Sequence, residues 1–121
     1  MGLEDVISLG LAGPTHDKRS WTFDLDPGGL DPVLQIPRLQ DAYFKRFPDY
    51  PRGITVPSIV EEASGKVVTN DYNSMVRDFQ TQWTDYHRAG APNLLPPEEQ
   101  REEMEEINDF LFRKFLSLIH I

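Results

Sequence analysis

No cysteine occurs among the 121 residues. That absence excludes disulfides, thiolate metal ligands and a cysteine nucleophile supplied by the chain itself. Basic residues are scarce as well: 12 Lys and Arg stand against 20 Asp and Glu, for a formal charge of −8. No basic stripe is left to neutralise phosphates, which argues against a nucleic-acid partner. Residues 1–13 are apolar in parts but carry Glu4 and Asp5 and no basic flank, so neither a secretory signal nor a membrane span is expected. A phosphate loop, a dinucleotide fingerprint and a G-x-S-x-G elbow are missing. The histidines, His16, His87 and His120, have no partner at helical spacing, so no metal site is expected. The acidic loop that starts at Asp24 does not make a calcium site either. Gly28 and Gln35 stand where an EF-hand needs an oxygen ligand and a bidentate glutamate. What remains is the composition of an ordinary soluble chain, 39% hydrophobic and long enough for one domain. Without cysteines the default location is cytoplasmic.

The most informative run is Ile54-Thr55-Val56-Pro57-Ser58-Ile59-Val60, followed by Lys66-Val67-Val68-Thr69-Asn70-Asp71. Proline removes a ladder hydrogen bond and is excluded from most strands. It is tolerated at a strand's first residues, more readily after a cis Val56-Pro57 bond, which leaves the preceding N–H and C=O free for a ligand. A hairpin turning at Ala63-Ser64-Gly65 is therefore expected, then a helix capped by Asn70 or Asp71. That helix would bury Met75, Val76, Phe79, Trp83 and Tyr86 on one face. Upstream, residues 6–11 read as a short buried strand, 12–37 as a long Gly/Pro/Asp-rich loop, and Leu39, Ala42, Tyr43 and Phe47 as a helix ended by Pro48. Strand, turn, strand and helix N-terminus in this order suit the thiol-binding half of a thioredoxin-like domain. Residues 89–97 form a Gly/Pro linker. Glu98, Glu99, Glu102 and Glu103 then open a last helix, as the helix dipole favours, and from Ile107 onward it is apolar nearly all round. The acidic run itself reads as a solvated helix face.

Two features resist a purely structural reading. Trp21 sits in a polar loop, where it either plugs a local core or stacks on a ligand. Thr55-Val56-Pro57 and the helix start at Asn70-Asp71 form the other. Free N–H groups there suit a ligand carboxylate, and Asp71 could take an ammonium, a pairing that fits the zwitterionic end of a γ-glutamyl peptide. A plain hairpin with a side-chain cap is the alternative.

Together, Ser20-Trp21-Thr22-Phe23, Asp49-Tyr50-Pro51-Arg52-Gly53-Ile54-Thr55-Val56-Pro57 and Val67-Val68-Thr69-Asn70-Asp71 resemble the Xi-class glutathione transferases, the glutathionyl-hydroquinone reductases related to the Omega class. The similarity runs over residues 3–112; residues 113–121 depart from it. It implies an α/β fold of the α+β kind: a partial thioredoxin-like domain over 1–88, the linker, and the first helix of an all-helical domain over 98–121. In that family a cysteine on the first strand-to-helix turn attacks the sulfur of a glutathionyl adduct. A second glutathione resolves the mixed disulfide, with release of the hydroquinone. The resemblance puts that cysteine, the first strand and most of the first helix before Met1, and most of the helical domain after Ile121. It also puts the first strand between residues 6–11 and 55–60, so the hairpin is expected as the only secure pairing and 6–11 as detached or paired across the gap.

The resemblance further implies that Val56 pairs its backbone with the cysteinyl part of glutathione beside Pro57, that Asp71 holds the γ-glutamyl amine, and that Trp21 flanks the tripeptide. Where the family has glutamate-serine this chain has Asp71-Tyr72, leaving only the Tyr72 backbone N–H. The family arginine falls at Gly53, with Arg52 one place early. The co-substrate is thus glutathione or another low-molecular-weight thiol, the partners are small thiol and quinol conjugates, and the parent is a homodimer. No catalytic residue is expected in this chain, which alone should have no thiol-transfer activity. The rival reading is a non-catalytic thioredoxin-like binding or interaction module.

Overall fold

Leu39, Ala42 and Tyr43 recur at spacings of three and four, which places them on one face of a short helix, α1 (Gln40–Arg46), and all are buried. The helix closes on Phe47, whose N–H donates to Tyr43 O at 2.8 Å, and Pro48 cannot extend it. The chain is described here by a computed structural model covering residues 1–16 and 18–115. Against α1 lies a hairpin of β1 (Ile59–Glu61) and β2 (Lys66–Thr69), an antiparallel pair with Val60 opposite Val67 and Glu61 opposite Lys66. Gly65 N–H donates to Glu61 O at 2.7 Å, and Gly65 closes the turn at φ +64°, where a side chain would be strained. Val67 joins Phe23, Leu39, Ala42 and Tyr43 in the main core cluster. One guanidinium nitrogen of Arg46 donates to Val67 O at 2.7 Å and Val68 O at 3.0 Å, tying α1 to β2.

Three sequence expectations need correction. The first strand of the hairpin is shorter than residues 55–60: its ladder begins only at Ile59, after Pro57, which has no N–H to contribute. Residues 6–11 form no strand. The chain turns at 4–6, where Val6 and Ile7 N–H both donate to Leu3 O at 2.9 Å, and Leu9 and Leu11 are 83% and 70% exposed. An extended segment needs a ladder partner, and the only sheet among the described residues is the two-stranded hairpin. The detached alternative is the one observed.

The third correction concerns α2 (Tyr72–Thr81), which stops before Trp83 rather than running to Tyr86. Gln82 and Trp83 N–H both donate to Asp78 O, and a 3-10 turn, Thr84–Tyr86, follows. Trp83 still packs edge-on against Phe79, at a centroid separation of 5.2 Å, but only Met75 of the expected apolar face is buried. α3 (Glu98–Lys114) begins on Glu98 and Glu99 as the dipole favours. It meets α2 through an Arg77–Glu105 ion pair and a Tyr72–Phe112 ring contact at 5.7 Å. Its apolar residues Ile107, Phe110, Leu111 and Phe115 stay exposed. The rest of the expected apolar helix, 116–121, lies outside the described residues. Among the described residues no helix is long and apolar enough to cross a membrane, and no cluster of His, Asp and Glu could hold a metal.

Candidate functional site

The long loop has no regular strand or α-helix, yet its backbone is tied down on both sides. Gly13 N–H donates to Thr22 O at 2.7 Å, Thr22 N–H to Thr15 O, Phe23 N–H to Pro37 O and Leu39 N–H to Trp21 O. Residues 21–23 therefore run as an extended strip between 13–16 and 37–39. Phe23 points into the core at 4% exposure, while Trp21 is half-buried at its fringe and edge-on to His16. Asp31 steadies the loop's far end. Its side-chain Oδ1, on a residue 2% exposed, accepts from Val33 N–H at 3.0 Å and Leu34 N–H at 2.6 Å, which pairs an otherwise costly buried polar group.

Asp24 accepts from the hydroxyls of Thr22 (2.6 Å) and Thr15 (2.7 Å). These bonds, Thr22's first, hold its carboxyl below the ordinary value despite a small opposing effect of burial. The loop passes so close here that a Cβ on Gly13 would collide with Asp24 Oδ1.

Residues 56–58 share a groove with this strip, and the Val56–Pro57 peptide is cis. Val56 is 41% exposed, and among the described residues its N–H and C=O have no hydrogen-bond partner. Trp21, Val56 and Pro57 line one groove of about 530 Å³. Residues 7–12 line it as well, as do Met75 and Phe79 of α2. An unpaired donor and acceptor on one residue, beside an indole, can take an extended peptide in the manner of an added strand.

The remaining expected site residues stand elsewhere. Asp71 caps α2, accepting from Ser74 N–H at 3.3 Å and Ser74 Oγ at 2.9 Å. Tyr72 N–H, the group left where the resemblance has a serine, is already used: it donates to Asn70 O at 3.0 Å. Arg52 is exposed and makes no ion pair or hydrogen bond among the described residues. None of these three borders the groove.

Thr55 and Asn70 stood out in the sequence and Tyr43 was placed on the α1 face, but the hydrogen bonds that join the three were not expected. Tyr43 Oη donates to Thr55 O at 3.3 Å, and Asn70 Nδ2 donates to Thr55 Oγ1 at 2.9 Å. Burial, then the neighbouring Tyr50, raises the Tyr43 hydroxyl's pKa, so it is a neutral donor at ordinary pH. The partners lie 12 and 15 residues apart along the chain, so no local pattern in the sequence marks these bonds.

No protein-family model matches the chain. Its fold superposes on a glutathione transferase from Gordonia bronchialis with a TM-score of 0.85 and 63% identity, over 92% of this chain and 34% of that one. It superposes on glutathione transferase Xi 1 from Trametes versicolor with a TM-score of 0.74 and 27% identity, over 91% of this chain and 39% of that one. In sequence it is 30% identical over 113 residues to the glutathionyl-hydroquinone reductase YqjG of Escherichia coli, 92% of this chain and 34% of the relative. The chain thus spans about a third of the length of the curated relatives it matches. The two-stranded sheet with its helices corresponds to part of a thioredoxin-like domain, and over the residues matched the chain is similar to glutathione transferases, the Xi class among them.

Proposed function

We propose that these residues form the peptide-binding part of a glutathione-dependent reductase acting on glutathionyl-hydroquinones, whose nucleophilic cysteine comes from polypeptide outside the 121 residues. The observation that carries this reading is the convergence of Trp21 and Val56-Pro57 on one groove, with Val56 N–H and C=O unpaired. The Escherichia coli relative is a glutathionyl-hydroquinone reductase, which supports the reaction class. Thiol–disulfide exchange needs a thiolate to attack the glutathionyl sulfur, and a second thiol to reduce the mixed disulfide. This chain offers neither, so its part is to bind and orient the tripeptide.

In this reading Val56 pairs with the cysteinyl residue and Trp21 covers it. Asp71, already bonded to Ser74, has lone pairs left for the γ-glutamyl ammonium. Tyr72 flanks that end as a ring rather than through its N–H, and Arg52 is the nearest cation in sequence for the glycyl carboxylate. These departures leave room for a thiol other than glutathione. We assign 1–88 to the thioredoxin-like part, 89–97 to a linker and 98–121 to the first helix of a helical domain, in a cytoplasmic, homodimeric parent.

Titration of the 121-residue protein with glutathione tests the reading. The amides of Val56 and Asp71 should shift with weak, millimolar affinity, because only part of the ligand is enclosed. A glutathionyl-hydroquinone should turn over only at the background rate. Static amides on a folded hairpin, or turnover by the chain alone, would overturn it. The absence of cysteine also supports a second reading, a non-catalytic thioredoxin-like module. A cysteine in the parent at the start of its first helix decides for the enzyme, and any other residue there for the module.

A further inference from the structure

Thr55 is gripped at both of its polar ends. Its carbonyl oxygen accepts from Tyr43 Oη at 3.3 Å, and its hydroxyl accepts from Asn70 Nδ2 at 2.9 Å. Tyr43 is 1% exposed on α1 and packed against Tyr50 at 5.0 Å, so it is part of the rigid core. Asn70 immediately precedes the residue that caps α2. A single residue thus joins the core, the segment that carries Val56, and the start of α2.

We propose that Thr55 is a positioning residue: the Tyr43–Thr55–Asn70 chain of hydrogen bonds fixes where the Val56 backbone pair stands relative to the Asp71 end of α2, so that both engage one γ-glutamyl tripeptide. This inference rests on the glutathione reading above and adds to it the residues that set the site's spacing. Val56 lies outside the ladder, which starts only at Ile59. Without the tie, Val56 and Asp71 would be held by separate elements. A ligand spanning them would then have to order the intervening backbone at its own expense of affinity. The Thr55–Asn70 bond is exposed, so it adds little to stability, and deleting it should be felt in binding before folding.

The experiment titrates glutathione into the 121-residue wild type and into Thr55→Val, Thr55→Ser, Asn70→Ala and the Thr55→Val/Asn70→Ala double variant. Amide shifts of Val56 and Asp71 report binding, and thermal midpoints report stability. Thr55→Val keeps the carbonyl bond to Tyr43 and loses the hydroxyl. It should raise Kd about three- to tenfold, the range that loss of one hydrogen bond gives. Thr55→Ser should bind within about twofold of wild type, since it restores the hydroxyl. Asn70→Ala should match Thr55→Val, and the double variant should be no weaker than either, because all delete the same bond. Midpoints of the valine and serine variants should agree, which a merely structural role would not give. Wild-type binding with an unchanged Kd in Thr55→Val and Asn70→Ala, failure of serine to rescue, or additive losses in the double variant would each overturn this inference alone. A wild type whose amides do not respond would overturn the glutathione reading, and this inference with it.

Discussion

Asp24 illustrates how single polar contacts order a segment that lacks strands and α-helices. Two threonine hydroxyls, Thr22's above all, lower its pKa, so the native state favours the carboxylate more than the unfolded chain does. For a depressed carboxyl the sign is fixed. Its stabilisation is present above the ordinary value of 3.8 and is lost as pH falls through the lower folded value. Wild type should therefore melt above Asp24→Asn at neutral pH, and the gap should close as the pH drops below that ordinary value. The gap should be small, because water screens an exposed carboxylate. Thermal melts from pH 7 to strongly acid conditions check this, and a gap that stays constant would show that Asp24 acts only through packing. The sequence marked Trp21 as either a core plug or a ligand platform. The structure gives it some of each, half-buried against the core and bordering the groove. Asp71 was legible as a cap because its partner Ser74 is three residues away. The tie of Thr55 to Tyr43 and Asn70 was not, because those partners lie 12 and 15 residues off and meet it only once the tertiary fold exists.

The elements were legible to the extent that their stabilising contacts are local. α1 is set by three- and four-residue spacing and stopped by Pro48, and the hairpin by β-branched runs around a turn that closes on Gly65. Residues 6–11 carry an equally apolar, β-branched signal and form no strand, because such a signal states a preference and says nothing of a partner. The end of α2 was missed for a related reason. Helical spacing continued through Trp83 and Tyr86, but with little core to cover that face the chain breaks into a 3-10 turn instead. The register of the hairpin against α1 depends on a residue that no pattern marks, Arg46. Replacing it in Arg46→Met keeps the aliphatic stem and removes both bonds to the β2 carbonyls. Charge-assisted bonds of this kind contribute more than neutral ones, so the variant should lose about 1–2 kcal/mol in urea unfolding with an unchanged slope. An unchanged midpoint would mean that water replaces the guanidinium without loss.

At the scale of the whole molecule, surface area is the deciding quantity. The chain exposes 9143 Å² at a mass of 13.9 kDa. Surface-to-mass scaling for a folded monomer of that mass gives about 6,700 Å². Much of the excess is apolar: Leu9 and Leu11 beside the groove, Val76 on α2, Ile107 and Phe110 on α3 and Phe115 at its end are all at least 51% exposed. α3 in particular has an apolar side with almost no tertiary contact beyond Tyr72 and Arg77. The main core cluster, by contrast, is confined to α1, β2 and Phe23. Exposed apolar patches on this scale are typical of protein-contact faces, ligand-binding grooves and aggregation-prone surfaces. The first of these fits a chain that matches only about a third of the length of its curated relatives. The purified 121-residue chain should therefore bind an apolar fluorescent dye strongly under native conditions, while the slowest-exchanging amides remain those of α1 and β2. Dye fluorescence and hydrogen exchange on one sample check both halves. A chain that excludes the dye and protects α3 as well as α1 would have buried that surface by itself, and the open arrangement of α3 and the groove would be wrong.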